Sequence, residues 1–309
     1  MAFDLPLAQY AATVALNLAL AAAVGAGMSA LWLAPRGSAW AIGQRGRLRL
    51  AGVAALAMAM LASVAVLWLE AAAMAEVPVA DAAGAAWSML TATHLGLAWT
   101  AGAAALVLSA CALAMRPQGK HGQRWTGLNL LGLAAFLYTR SMVSHASANG
   151  DFGVPMMADW VHLVLISLWV GEVFIAGLLT LAAPPGERLD DRTDCMGYID
   201  ALSRSATWAL AGIFATGLVS AWFNVGSPAA LTGNPYGATL LVKLTLVVLA
   251  VLLGGFNRFC VMPSLATALP GNGPALRRFT AVLRVEAVVL LGVLILAAIL
   301  SSTAPPTAG

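Results

Sequence analysis

The sequence predicts an all-α membrane protein, a bundle of eight transmembrane helices. Hydrophobic residues make up 61% of the chain and charged residues only 9%, and the mean hydropathy is +0.87. A water-soluble surface needs far more charge than this. Each helical crossing of a bilayer takes about 20 mostly apolar residues. Eight runs meet that requirement, at residues 9–33, 49–74, 86–115, 125–147, 155–183, 199–224, 236–263 and 277–302.

The eight runs are predicted to form one integral membrane domain, residues 1–309, because no linker or low-complexity tract separates them. Asp4 is the only charged residue before the first run, and no basic segment precedes it. This run is therefore expected to be a first span rather than a cleaved signal peptide. Gly25 and Ser29 have the four-residue spacing of small residues that lets membrane helices approach closely. A tightly packed bundle is therefore expected.

Lysine and arginine occur in alternate connections, and this pattern predicts the orientation of the bundle. The first, third, fifth and seventh connections are basic, the second and fourth carry acids, and the sixth carries no charge. Cytoplasmic loops carry the excess of positive charge, so both termini are predicted to lie outside the cytoplasm. The net charge of +3 gives no reason to expect a nucleic-acid partner. The basic residues of these connections are Arg36, Arg45, Arg47, Arg49, Arg116, Lys120, Arg124, Arg188, Arg192, Arg258, Arg277 and Arg278.

Three of the four histidines fall at one predicted depth, near the face of the membrane that is opposite the cytoplasm. With a rise of about 1.5 Å per residue, His94 lies roughly eight residues inside the third helix and His162 roughly seven inside the fifth. His145 ends the fourth helix as that helix leaves the membrane on the same side. His121 belongs to a basic connection on the opposite side, where a solvated histidine is expected.

Histidines at membrane depth are costly without partners, and they commonly mark a site or a pathway. Neutral imidazoles suit transition metals. Met142 is three residues before His145, and Met156 begins the fifth helix. Imidazole and thioether together favour copper, especially Cu(I), over magnesium or calcium. The predicted metal ligands are His94, His145, His162, Met142 and Met156, although a hydrogen-bonded histidine or a core methionine is the plainer alternative for each residue alone.

Two further charged residues fall inside predicted spans, Lys243 in the seventh helix and Glu286 in the eighth. Their predicted depths differ by roughly 6 Å, a distance that a lysine side chain can bridge. They are expected to form a buried ion pair, with a role in an ion or proton pathway as the alternative.

An ordered set of residues in the last four helices resembles the signature of the CopD/PcoD copper-resistance membrane protein family, which includes copper-uptake proteins of the YcnJ type. The resemblance is best over about residues 140–300. At one point the chain departs from the family: Gly171 is followed by Glu172, where relatives often have two glycines. The signature consists of Ser203-Arg204, Thr216-Gly217, Trp222, Pro235-Tyr236-Gly237, Leu241 with Lys243, Asn257-Arg258, Pro263 and Glu286. The segments Ser144-His145-Ala146, Val161-His162 and Trp169-Val170-Gly171 resemble the upstream helices of the family.

This resemblance implies a multi-pass protein of the bacterial inner membrane that moves copper across it and is not an enzyme. It also implies a separate periplasmic copper-binding partner of the CopC type. The sequence has no ATP-binding loop motif, so transport driven by its own ATP hydrolysis is not expected. Two other functions fit the histidines: a b-type cytochrome or quinone-linked redox protein with axial haem ligands, and a copper-binding or delivery factor that does not transport.

Overall fold

The computed structural model describes residues 4–115, 120–225, 235–266 and 273–302, and within these ranges the chain forms helices, turns and short connections. Eight of the α-helices have at least 21 residues, and two are short. In chain order they are α1 (Leu5–Leu33), α2 (Ala39–Met74), α3 (Ala83–Ala92), α4 (His94–Ala114), α5 (Lys120–Ser141), α6 (Val154–Ile175), α7 (Leu189–Val225), α8 (Pro235–Phe256), α9 (Met262–Ala266) and α10 (Gly273–Ser301).

Seven helices in the described ranges are long and apolar enough to cross a membrane, and this confirms an all-helical, multi-pass membrane protein. They begin at the first residues of α1, α2, α4, α6, α7 and α10 and at Tyr236 in α8. Helix α5 has a suitable length of 22 residues but is not among them. It carries Arg124, Asn129 and Arg140. The count of eight spans depends on α5 and stays a prediction.

The third predicted run is two helices rather than one, and this changes the position of His94. The backbone of Thr93 is extended, with φ −125° and ψ 157°, and its side chain accepts a hydrogen bond from the amide of Gly96. A threonine in this position caps the start of a helix. Helix α3 therefore ends at Ala92, and His94 is the first residue of α4 instead of lying eight residues inside a span.

The fourth helix is shorter than the sequence pattern predicts. Helix α5 ends at Ser141, and a separate 3-10 turn follows at His145–Asn149. Ser144 caps this turn by accepting a hydrogen bond from the amide of Ala146. His145 thus lies in the connection after α5 and not in its last turn.

Helix α1 lies at the centre of the bundle and packs along both α2 and α6. Where it crosses α6, the two backbones touch at Gly25 and Gly171. A Cβ atom on Gly171 would lie 1.9 Å from the carbonyl oxygen of Ala21, and one on Gly25 would lie 2.1 Å from the carbonyl oxygen of Gly171. Any side chain at either position would force the helices apart, so this crossing fixes the position of α6.

The start of α2 and the start of α7 meet at one end of the bundle. Arg36 lies 3.6 Å from a carboxylate oxygen of Asp194, and the amide of Ser38 donates to the same carboxylate at 3.1 Å. The amide of Trp40 donates to Asp191 at 2.8 Å. We call this region, defined by these five residues, the basic end. It joins the first and fifth connections, as the alternation of basic loops requires.

Two helices continue into five-residue π-helical turns that pack against α10. One turn, Ala176–Thr180, extends α6, and the other, Asn257–Val261, extends α8. Arg284 of α10 donates to the carbonyl of Gly177 at 3.0 Å, and Asn257 donates to the carbonyl of Phe279 at 3.1 Å. Such turns are frequent at functional sites, and here both lie beside the helix that carries Glu286.

Candidate metal site

His162 lies in the interface between α6 and α7, where its ring contacts the side chain of Thr216. The side chain is half-buried, and Nδ1 lies 2.9 Å from Oγ1 of Thr216. The hydroxyl of Thr216 donates its proton to the carbonyl of Gly212 at 2.8 Å. A hydroxyl has only one proton, so when Thr216 donates to Gly212 it accepts from Nδ1 of His162.

This arrangement selects the tautomer of His162. A neutral imidazole carries its proton on one nitrogen and a lone pair on the other. With Nδ1 donating to Thr216, the lone pair is at Nε2. Metal-binding histidines typically donate their other ring N–H to an oxygen in this way, which fixes the orientation of the ring. His162 therefore has the chemistry of a metal ligand at Nε2.

His94, the first residue of α4, pairs with an acid at the end of the bundle opposite the basic end. Its Nε2 lies 2.9 Å from Oδ2 of Asp151, and the two side chains are 52% and 28% exposed. The backbone carbonyl of Asp151 accepts a hydrogen bond from the hydroxyl of Tyr138. In its neutral form His94 donates to the carboxylate from Nε2 and keeps a lone pair at Nδ1. We call this region, defined by His94, Asp151 and Tyr138, the outer end.

The structure separates Met156 from His162 and places Met142 outside a helix. Met156 is fully buried at 0% exposure and precedes His162 by six residues of α6, an offset of about 120° around the helix axis. Met142 directly follows the last residue of α5 and is half-buried. The side chain of His145 lies outside the described residues, and only the backbone turn that contains it is defined.

The predicted ligands are not assembled into one metal site among the described side chains. His94 contacts Asp151 and His162 contacts Thr216, and no group of three or more His, Cys, Asp or Glu side chains in the described ranges could share a metal ion. A joint site of His94, His145 and His162 stays a prediction, since it depends on a side chain beyond this description.

Four charged residues on four different helices interact in alternating sign near His162. Glu70 of α2 interacts electrostatically with Arg140 of α5, and Arg140 also interacts with Asp159 of α6. Asp159 accepts a hydrogen bond from Ser144 at 3.1 Å and interacts with Lys243 of α8. Charges of alternating sign offset part of one another's desolvation cost. None of these pairs is among the ion pairs formed by described residues, so the charges interact over a longer distance than a salt bridge.

Lys243 and Glu286 have different partners in the structure. Lys243 interacts electrostatically with Asp159 and His162, whereas Glu286 accepts a hydrogen bond from the indole of Trp169 at 3.2 Å. The ion pairs found in the described part of the chain do not include one between Lys243 and Glu286. Lys243 therefore belongs to the group of charges that includes Arg140 and Asp159. Glu286 lies instead among the residues next to the π-helical turns.

Several side chains that contact His94, His162 and Glu172 in the structure were not predicted as their partners from the sequence. Thr216 was named only as a signature residue, Asp151 is the acid of the fourth connection, and Ser205, which donates to Glu172 at 2.5 Å, was not named. One signal was available: Ser205 and Thr216 are eleven residues apart in α7, which places them on one helix face three turns apart. Their partners on α6, His162 and Glu172, are ten residues apart and do not share one helix face in this way.

The signature residues of α7 and α8 contact each other directly. Arg258 donates from Nη1 to the hydroxyl of Ser203 at 2.6 Å and to its carbonyl at 3.0 Å, and also to the hydroxyl of Thr207. A charged donor with three oxygen acceptors makes strong hydrogen bonds. These hydrogen bonds join the π-helical turn that follows α8 to α7.

Two family profiles match the chain. The profile described as "Copper resistance protein D-like, N-terminal domain" matches residues 3–154, and "Copper resistance protein D" matches residues 197–300. The stretch between them, residues 155–196, contains nearly all of α6, with His162 and Glu172. Thr216 and Ser205 lie within the second match.

Among curated proteins, the chain is similar to the copper transport protein CutJ of Bacillus subtilis (strain 168). The two are 28% identical over 182 residues, which amount to 59% of this chain and 31% of that protein. The chain thus matches less than a third of the length of this relative. No solved structure matches the chain significantly. With one profile covering its first half and the other most of its last four helices, the chain belongs to the copper resistance protein D family.

Proposed function

We propose that the chain transports copper across the bacterial inner membrane, from the periplasm toward the cytoplasm. The observation that carries this proposal is the 2.9 Å contact between Nδ1 of His162 and Oγ1 of Thr216, in which a donating Nδ1 leaves the lone pair at Nε2. An oriented, neutral imidazole inside an apolar helix bundle is a ligand for a transition metal. The family and the printed name of its relative in Bacillus subtilis support copper as that metal.

The proposed topology has eight spans, with both termini and the outer end in the periplasm. The basic end, which joins the first and fifth connections, then faces the cytoplasm, in accord with the distribution of positive charge in membrane proteins. Helix α5 supplies the eighth span. In this orientation His94 and Asp151 lie at the periplasmic entrance.

Copper is proposed to arrive from a separate periplasmic protein of the CopC type and to reach His94 first. The His94–Asp151 pair is exposed, and its carboxylate attracts cations. The ion then moves to His162 between α6 and α7. Imidazole nitrogen and thioether sulfur favour Cu(I), and His145, Met142 and Met156 are the further ligands in this proposal.

Transport is favoured over the other two functions by different observations. The family description and the printed name of the relative concern copper rather than haem, whereas the hydrogen bonds of His94 and His162 leave one ring nitrogen of each free and suit either metal. A visible absorption spectrum of the purified protein tests this alternative, because a sharp Soret band would establish bound haem. A delivery factor would bind copper without carrying it into a sealed vesicle.

The proposal is tested by copper uptake into proteoliposomes that contain the purified protein. His162→Ala is expected to lower the uptake rate by about tenfold or more, since loss of a ligand or of its oriented partner costs about that much affinity. His94→Ala and His145→Ala are expected to weaken uptake as well. His121→Ala is the matched control and is expected to behave as wild type. Wild-type uptake by a well-folded His162→Ala variant would refute the proposed pathway, and binding without uptake would identify a delivery factor.

A further inference from the structure

The interface of α6 and α7 contains two polar pairs. The first is His162 with Thr216, at 2.9 Å. The second is Glu172 with Ser205, at 2.5 Å. Glu172 follows His162 by ten residues of α6, which is about 15 Å along the helix axis. The second pair therefore lies well inside the bundle, toward the basic end.

Glu172 is completely buried, and only one of its two carboxyl oxygens has a hydrogen-bond partner. The residue is 0% exposed. Oε1 accepts the hydrogen bond from Ser205, and Oε2 has no hydrogen-bond partner. None of the ion pairs formed by described residues includes Glu172. No positive charge on the neighbouring described helices neutralises it.

The described groups that interact with Glu172 from α7 are two hydroxyls, those of Ser205 and Tyr198. Tyr198 of α7 interacts with Glu172 and with Cys195 one turn earlier. Glu286 of α10 lies beyond Trp169, its hydrogen-bond donor. Helix α1, which packs along this part of α6, has no charged residue between Leu5 and Leu33.

A fully buried carboxylate without a basic partner carries a desolvation cost of several kcal/mol, on the order of that measured for unpaired buried charges. A bound proton removes this cost. Metal ions suit the position less well, because Cu(I) prefers nitrogen and sulfur ligands and calcium requires about six to eight oxygens. A proton requires one oxygen with a free lone pair, and Oε2 is such an atom.

Two buried residues with hydroxyl groups, Tyr198 of α7 and Ser29 of α1, lie between the level of Glu172 and the basic end. Tyr198, which interacts with Glu172, is fully buried, and its hydroxyl lies 3.0 Å from Oγ of Ser29. Tyr198 follows Asp194, a residue of the basic end, by one turn of α7. Hydroxyls both donate and accept, so the Tyr198–Ser29 hydrogen bond can form part of a proton path toward that end.

We propose that Glu172 is a proton-exchange site of the transport pathway. Its carboxyl group holds a proton while the inner half of the bundle is empty. When a monovalent metal cation enters, the cation stabilises the carboxylate, the O–H bond at Oε2 breaks, and the proton leaves along Tyr198 and Ser29 to water. One positive charge enters and one leaves, so the net charge of the apolar interior stays constant. The exchange step depends on the proposed copper transport, because it needs a cation that enters the bundle. The proton on Glu172 of the metal-free protein, called the resting proton below, does not depend on it.

The resting proton is tested without metal by infrared spectroscopy of the purified protein. A protonated carboxylic acid has a carbonyl stretching band that is separate from the carboxylate bands and shifts in D₂O. We expect Glu172→Gln to remove a component of this band at neutral pH and the exposed Glu187→Gln control to leave the band unchanged. A band that is identical in wild type and Glu172→Gln would show that Glu172 is ionised and would overturn the proposal.

The Ser205→Ala variant retains Glu172 and provides a second test in case Glu172→Gln does not fold. This variant removes the hydrogen bond to Oε1, so the band component assigned to Glu172 is expected to shift in frequency. No shift would contradict the assignment even if Glu172→Gln could not be purified.

Coupling to the cation is tested with Ag(I), an air-stable monovalent probe, added to protein in weakly buffered, chloride-free solution. Wild type is expected to release about one more proton per bound silver ion than Glu172→Gln does, as measured with a pH indicator dye. Equal release from the two proteins would overturn the exchange step. Absence of silver binding to wild type would contradict the proposed transport function, and the infrared band would then decide on the Glu172 proton by itself.

Discussion

Nδ1 of His162 lies 2.9 Å from Oγ1 of Thr216, whose hydroxyl is also 2.8 Å from the carbonyl oxygen of Gly212, one turn earlier in α7. When Thr216 donates to Gly212, it accepts from Nδ1. A bond within a single helix thus fixes the tautomer of a histidine on the neighbouring helix. The consequence is a lone pair at Nε2, which is the property that a metal ligand needs.

Replacing Thr216 by Val is expected to weaken copper uptake while leaving the fold intact. Valine has nearly the shape of threonine but cannot accept from Nδ1, so the ring loses its fixed orientation. Loss of such a partner commonly costs about 10- to 100-fold in metal affinity. The initial rate of uptake as a function of copper concentration measures the effect.

Thr245→Val is the matched control for that substitution. Thr245 is exposed on α8, and its hydroxyl donates only to the carbonyl of Leu241 in its own helix. We expect uptake close to that of wild type. Equal uptake by the Thr216→Val variant would show that the hydrogen bond to His162 plays no part in binding.

The crossing of α1 and α6 is expected to be sensitive to a single methyl group. Gly171→Ala would place a Cβ atom 1.9 Å from the carbonyl oxygen of Ala21, and the helices would have to separate. A destabilisation of about 3 kcal/mol is expected from such overpacking. Thermal unfolding of the purified protein in detergent measures it.

Gly255→Ala provides the comparison, because a Cβ atom there would have nothing within 4 Å. Alanine is favoured over glycine in a helix by about 1 kcal/mol, so this variant should be as stable as wild type or more so. If both variants unfold at the same temperature, the α1–α6 backbone contact is not part of the packed structure.

The partner of Lys243 can be identified with double-mutant cycles. Asp159→Asn and Lys243→Met each leave an opposite charge without its partner, and the double variant leaves neither. We expect the two effects on the free energy of unfolding to be non-additive by about 1 kcal/mol or more. Lys243→Met with Glu286→Gln should be additive within about 0.5 kcal/mol, and a large coupling for that second pair would restore the ion pair expected from sequence depth.

Composition and charge patterning were sufficient for the fold class. Membrane-length apolar runs and basic residues in alternate connections are properties of the lipid environment, and seven apolar helices of sufficient length are present. The signature residues were sufficient for the family, as the profile matches show. Helix ends were less accurate, because Thr93 caps a new helix inside an unbroken apolar run.

The candidate site was only partly predictable, since depth along a helix says nothing about the direction of a side chain. His94, His145 and His162 share a predicted depth, but His94 contacts Asp151 and His162 contacts Thr216. Lys243 and Glu286 also share a similar depth and have different partners. Periodicity and rise give positions along the membrane normal, whereas rotation about each helix axis depends on packing.

The sequence by itself determined that this chain is a multi-pass helical protein of the copper resistance protein D family and that its histidines merit attention. The tertiary structure alone decided which atoms meet: Gly25 against Gly171, Nδ1 of His162 on Thr216, and Ser205 on a buried Glu172 with one free oxygen. The physical reason is that the bilayer acts on every residue through its polarity, while close packing and hydrogen bonds depend on neighbours that are distant in the sequence.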